Sequence, residues 1–160
     1  MSNSWLLILG ANSDIAVATA RRFAKQGWNL HLASRDIDNL TKEVGNLRLR
    51  YGVEAKESLF DAINFASHRA FYAALDPKPA GVIVAFGFLG DQSAAQHDFS
   101  VAEKIVASNY LGAISILEII AQDFEARGSG VIVGISSVAG DRGRASNYIY
   151  GSAKAGLSTY

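Results

Sequence analysis

Apolar residues along this chain follow two periods in turn. Solid short runs occur at Trp5 to Leu9, Trp28 to Ala33, Gly81 to Phe86 and Gly130 to Ile135. Runs of this length, bounded by glycine or polar residues, predict strands, the first of them buried. Val53 to Phe60 is a further strand candidate, but it carries Glu54, Lys56 and Glu57, which places it near a sheet edge. Between the runs, apolar residues recur at helical spacing over Asp14 to Gln26, Asp36 to Tyr51, Phe65 to Leu75 and Ser100 to Arg127. A last helix is predicted from about Asn147 onward. Gly27, Gly52, Pro77 and Gly128 stand where these helices should stop, and Asp36 or Asp38 reads as the N-cap of the second.

The resulting order is βαβαβαβαβα, with no internal repeat, low-complexity stretch or linker. Such alternation predicts an α/β fold, a doubly wound parallel sheet with helices on both faces. Right-handed crossovers put ligands beyond the carboxyl ends of the strands. The chemically suggestive residues all fall there: Gly10, Ser34, Asp61, Gly87 and Ser137.

Composition narrows the function classes. At 160 residues and 49% hydrophobic, residues 1–160 read as one domain with a sizeable core. Lys+Arg and Asp+Glu are 15 each, so no basic field is available for nucleic acid. There is no cysteine, and the three histidines, His31, His68 and His97, lie far apart, so no metal site is expected. The first residues lack a basic region and a long apolar stretch, so no signal peptide is read there. No apolar run reaches membrane-span length. Asn39-Leu40-Thr41 matches a glycosylation sequon, which is read as chance. A soluble, cytoplasmic protein without an integral membrane segment is expected.

Gly10-Ala11-Asn12-Ser13-Asp14-Ile15-Ala16 joins the first strand to the first helix. A tight turn there would bring backbone N–H groups to a pyrophosphate at a helix N-terminus. The loop alone also fits a plain helix start capped by Ser13 or Asp14. The second strand ends Ala33-Ser34-Arg35. A carboxylate at such a strand end suits the ribose hydroxyls of NAD, whereas a hydroxyl and a guanidinium suit the 2′-phosphate of NADP. Asp36 next door reads as a helix cap. NADP(H) is therefore expected over NAD(H). Asp61 reads either as an adenine contact or as a turn residue.

Tyr150 and Lys154, spaced i, i+4, share one helix face. An ammonium beside a phenol favours phenolate and suits tyrosine to acid/base work. Ser137, leaving the fifth strand, can hydrogen-bond the oxygen of a carbonyl or alcohol. Asn109, a poor helix former inside a long helix, reads either as a holder of a proton-relay water or as a satisfied buried amide.

Together these residues resemble the short-chain dehydrogenase/reductase family. Tyr150 and Lys154 match its Tyr-x-x-x-Lys. Ser137 in Ile135-Ser136-Ser137-Val138-Ala139-Gly140 matches its serine, and Asn109 in Asn109-Tyr110-Leu111-Gly112 its helix asparagine. The resemblance implies a Rossmann-like sheet of order 3-2-1-4-5. It implies reversible hydride transfer between a nicotinamide and a small carbonyl/alcohol substrate. Tyr150 would be the acid/base, Ser137 the orienter, and Lys154 the ribose anchor and tuner of Tyr150. Gly10, Asn12, Ser13, Asp14, Ile15, Ser34, Arg35, Asp61, Ala85 and Gly87 would line the cofactor site with Tyr150 and Lys154. The pattern departs from the family at Asp14 and Ala16, which replace the second and third loop glycines. It departs again at Val84-Ala85-Phe86-Gly87, where the family usually has Asn-Asn-Ala-Gly.

The glycine loop, Gly87-Phe88-Leu89-Gly90-Asp91-Gln92 and Arg142-Gly143-Arg144 are similar to a narrower subgroup, bacterial reductases of polyprenyl-phosphoryl 2-keto-pentoses. There Arg142 and Arg144 would meet a substrate phosphate; a solvated surface turn is the other reading. Family members normally continue past this point, so the domain is expected to be incomplete at its C-terminus, with little turnover by itself. A homodimer or homotetramer is implied for the complete protein. Two other readings stand beside the carbonyl reductase. One is a non-catalytic nucleotide-binding or interaction module, favoured by Asp14. The other is an extended-type sugar-nucleotide epimerase or dehydratase, which shares the Tyr/Lys pair.

Overall fold

The computed structural model describes residues 4–160; the first three residues of the expected domain lie outside it. Five parallel strands stand in the order β3-β2-β1-β4-β5. They are β1 (Trp5–Leu9), β2 (Asn29–Ser34), β3 (Ala55–Leu59), β4 (Gly81–Val84) and β5 (Val131–Gly134). The expected strand order and fold class are observed. β1 sits at the centre, with Leu6 level with Leu30 on one side and Gly81 on the other.

All five residues of β1 are buried. Successive side chains point to opposite faces, so Leu6 and Ile8 join one core while Leu7 and Leu9 join the other. The first core is closed by α1 (Asp14–Lys25) and α2 (Ile37–Tyr51). Ala16, Ala20 and Ala24 form a small-residue stripe that lets α1 lie close on the sheet. The second core is closed by α3 (His68–Ala74) and α6 (Gly112–Arg127), through Tyr72, Ile116, Ile120 and Phe124. Burying an aliphatic side chain of this size contributes about 1.5–3 kcal/mol, so these two layers fix the strand ends that carry the site.

The elements differ from expectation in two informative places. A short helix, α4 (Gln92–His97), follows β4 where no element is predicted. It buries only Ala95, too little to leave an apolar period. The predicted helix from Ser100 to Arg127 is composite. α5 (Phe99–Val106) passes into a π-turn at Ala107–Leu111 and then into α6. Joined in this way, Phe99–Arg127 runs for 29 residues and is long and apolar enough to cross a membrane by length and composition. That corrects the expectation of no such run. Its apolar face nevertheless packs on the sheet through Ala113, Ile116, Leu117 and Ile120, the arrangement of a core helix. β3 lies at one edge of the sheet, as expected, and β5 at the other. Leu59 is exposed at one, and Val131, Ile132 and Val133 are exposed at the other.

Candidate active site

The site is built at the carboxyl ends of all five strands. β1 is followed by Gly10, whose φ of 82° lies in the left-handed region that favours glycine. A Cβ there would lie 2.5 Å from Phe86 N, so only glycine lets the loop lie against the chain leaving β4. The Gly10 and Ala11 N–H groups both donate to the Ala33 carbonyl, at 2.8 and 3.1 Å. Ser13 is the N-cap of α1, its Oγ accepting from Ala16 N at 3.3 Å. Asp14 is therefore the first helical residue, exposed to solvent, and not the cap. A negative charge in the first turn suits the helix dipole.

A cleft of about 210 Å³ opens beside this turn. Of the residues expected to hold a dinucleotide, Gly10, Ser13, Ser34, Arg35, Asp61, Ala85 and Gly87 line it. Asn12, Asp14, Ile15, Tyr150 and Lys154 do not line it. Ile15 is 60% exposed. Asn12 acts from behind: its Nδ2 donates to Ser34 Oγ at 3.1 Å and to the Asp36 carbonyl at 2.8 Å, tying the loop to the end of β2. The Asp36 carboxylate is occupied capping α2, accepting from Asn39 N at 3.3 Å and Asn39 Nδ2 at 2.6 Å. Asp61 Oδ1 accepts from Ile63 N at 3.2 Å and so closes a turn while facing the cleft.

Beneath Asp61 lies His68, fully buried. His68 Nε2 is 3.1 Å from the Asp61 carbonyl, and Nδ1 is 2.9 Å from Ser115 Oγ. A carbonyl can only accept, so Nε2 carries the hydrogen and Ser115 donates to Nδ1. Burial pushes the His68 pKa down and holds this neutral form.

The chemical end begins in the π-turn. Asn109, buried, donates through Nδ2 to the carbonyls of Phe88 (2.6 Å) and Ile105 (2.8 Å), and its Oδ1 accepts from Phe88 N at 3.1 Å. It is thus a satisfied amide that clamps the cleft wall at Phe88. A π-turn widens the helix by one residue and commonly marks functional positions. Lys154, on α7 (Tyr148–Thr159), is 3% exposed and donates to the Ile135 carbonyl at 3.1 Å. Burial pushes its pKa below the ordinary lysine value. Its Nζ stands 5.8 Å from the centre of the Tyr150 ring, on the shared face that the i, i+4 spacing predicts.

Ser137 caps the short 3₁₀ turn Val138–Gly140, its Oγ accepting from Ala139 N at 3.2 Å. α7 docks on that turn through Gly151, where a Cβ would lie 2.5 Å from the Ala139 carbonyl oxygen. Arg142 and Arg144 lie in residues 141–146, which are all exposed, between the Ser137 turn and α7. Phe60, Phe86, Phe88 and Ser108 also line the cleft. The three phenylalanines give no sequence signal that separates them from core residues at strand ends. Ser108 gives none at all, because the π-turn that turns it toward the cleft is not visible in the spacing.

A glycine-sealed turn at a helix start, a cleft across the strand ends and a Tyr–Lys pair beyond it fit a nicotinamide dinucleotide. The short chain dehydrogenase model matches residues 4–160. The chain belongs to that family. It is similar to an uncharacterized oxidoreductase of Mycobacterium tuberculosis, 39% identical over 158 residues, covering 97% of this chain and 63% of the relative. This chain therefore spans less than two thirds of that protein's length. An NADPH-bound short-chain dehydrogenase from Sphingobium yanoikuyae superposes with a TM-score of 0.87 at 27% identity, covering 96% of this chain and 61% of that one. NAD+-bound xylitol dehydrogenase shares the fold, with a TM-score of 0.89 at 23% identity over 98% of this chain and 61% of that one.

Proposed function

We propose that the protein is an NADP(H)-dependent oxidoreductase acting on a carbonyl/alcohol pair. One observation carries the reading. The cleft wall at Gly87 and Phe88 is clamped by Asn109 and abuts Lys154, which places the Tyr150 helix next to the cleft. The nicotinamide, when bound, supplies or accepts the hydride. Tyr150 gives a proton to the carbonyl oxygen in reduction and takes it back in oxidation. Ser137 donates to the same oxygen and orients it, since its Oγ accepts from Ala139 N and its O–H remains a donor. Lys154 spends one N–H on Ile135, which leaves two for ribose hydroxyls.

NADP(H) is preferred because Ser34 and Arg35 both face the cleft while the Asp36 carboxylate is engaged by Asn39. A 2′-phosphate meets a hydroxyl and a guanidinium there. The substrate class we favour is a prenyl-phosphoryl keto-sugar, whose phosphate Arg142 and Arg144 are exposed to receive. Exposed Phe99 and Leu111, with Tyr148 at the start of α7, support self-association as a homodimer or homotetramer.

The test is turnover of keto-sugars and simple ketones with NADPH, by wild type and Tyr150→Phe. Loss of acid/base catalysis should cost about 10²–10⁴-fold. A Tyr150→Phe protein that keeps its turnover overturns the reading and leaves a dinucleotide-binding module in its place. Equal losses in Arg142→Ala and Arg144→Ala on phosphorylated and plain keto-sugars would remove the phosphate assignment alone.

A further inference from the structure

The helix that carries Tyr150 has an incomplete start. Asn147 occupies the N-cap position of α7, but its side chain makes no capping bond, and its Oδ1 is buried without a partner. The first turn of a helix has N–H groups with no intrahelical acceptor. One of these, on Ile149, is met from far along the chain. Gln92 Oε1, at the first position of α4, accepts from Ile149 N at 3.1 Å. The backbone N–H can only donate, so the amide oxygen faces it and Nε2 points away. Nε2 is buried and finds no partner among the described residues, so among them the Ile149 bond is the one hydrogen bond of this amide.

The place of this bond gives it a use. Gln92 lies at the end of the segment that begins in the cleft wall. Asn109 grips both polar groups of the Phe88 backbone, and Asp91 then caps α4 by accepting from Ala94 N at 2.9 Å. From Gln92 the chain of contacts passes to Ile149, the residue before Tyr150. Phe88, Ile149 and Tyr150 also pack on one apolar cluster around Ala95, Ala102 and Ile105. The cleft wall and the first turn of α7 are thus joined by one run of contacts.

We infer that Gln92 is a positioning residue, the N-cap of the Tyr150 helix supplied in trans by the cofactor-cleft segment. The inference rests on the proposed role of Tyr150, but its physical part does not depend on turnover. Gln92→Met keeps the length and loses the acceptor. Gln92→Glu keeps the acceptor and places a negative charge at a helix N-terminus, which is favourable there.

The experiment is backbone amide exchange of the whole chain, followed in the peptide spanning residues 147–152, with NADPH affinity and turnover measured beside it. Gln92→Met should speed exchange in that peptide by about tenfold, the size of a lost cap, with exchange elsewhere unchanged. Gln92→Glu should restore it. Turnover should follow the same order through kcat, at unchanged NADPH affinity. Unchanged exchange in Gln92→Met overturns the inference, as does equal acceleration in both variants. Loss of the parent reading shows up separately, as a Tyr150→Phe protein that still turns over; the exchange pattern would then stand as a cap without a catalytic consequence.

Discussion

A Cβ on Gly87 would lie 2.9 Å from Asn109 Oδ1, closer than real contacts allow, and 3.5 Å from Lys154 Nζ. The backbone of the cleft wall therefore touches the two polar groups that stand between the cofactor cleft and Tyr150. Asn109 has little room to yield, because its short side chain is held by three hydrogen bonds. Gly87→Ala should destabilise the fold by about 1–3 kcal/mol, as overpacking does, and weaken NADPH binding. Urea unfolding and a fluorescence titration check both. An alanine variant with wild-type stability would mean that the Phe88–Asn109 clamp is soft.

Asn109→Ala removes the clamp from its other side. The N–H and C=O of Phe88 and the C=O of Ile105 lose their side-chain partner together. Groups stranded in a buried place cost about 1–3 kcal/mol each when water cannot reach them. Phe88 lines an open cleft, where water relieves part of that, so a total of about 2–3 kcal/mol is expected. The urea midpoint should fall with the slope of the transition unchanged. A loss under half of this would make the amide a passive filler of the π-turn.

Asn109 also marks how far the sequence could be read. β1, β2 and β4 are legible because both faces are buried, and the runs are apolar throughout. The mixed residues of β3 placed it at an edge, where it lies. The π-turn is invisible because one added residue leaves the apolar spacing of Phe99 to Arg127 nearly intact; only an asparagine in a helix hinted at it. The cleft was legible where a residue type has a chemical reason, as at Gly10, Ser34 and Arg35. It was not legible at Phe60, Phe86 and Phe88, whose apolar side chains serve core and cleft alike. Gln92 closes the Gly87–Gln92 stretch that carries the subgroup likeness, but nothing in that stretch gives its amide a role. Its bond to Ile149 joins residues that only the fold makes neighbours.

Arg35 carries the proposed preference for NADP(H). It lines the cleft beside Ser34, and Asn12 holds the Ser34 hydroxyl in place. A charge-assisted bond to a 2′-phosphate is worth about 1.5–3 kcal/mol. Arg35→Ala should therefore weaken NADPH binding roughly ten- to a hundredfold and leave NADH binding as it was. The ratio of the two dissociation constants is the readout. Equal weakening of both would assign Arg35 to the loop's architecture and remove the NADP preference.

Lys154 links stability to pH. Burial lowers its pKa in the fold below the ordinary 10.5. Between the lowered folded value and 10.5 the unfolded chain binds more protons than the folded one, so stability rises with pH across that window. Below the window the full cost of burying an ammonium is present. Two tyrosines act in the opposite sense. Burial raises Tyr72, which donates to Asp123, and pushes Tyr160 up to about 12, so what they contribute is lost as pH climbs past 10.0. Comparison with Lys154→Met cancels the tyrosine terms, since both proteins carry them. The variant loses the bond to Ile135 but no longer buries a charge. Wild type should therefore gain on Lys154→Met as pH rises from neutral to about 10, measured by urea unfolding at each pH. At neutral pH the variant should be at least as stable as wild type and without turnover, a functional charge kept at a cost in stability. A difference that stays flat with pH would show that Lys154 titrates alike in the folded and unfolded chain, and would place its ammonium in water instead of under Ile135.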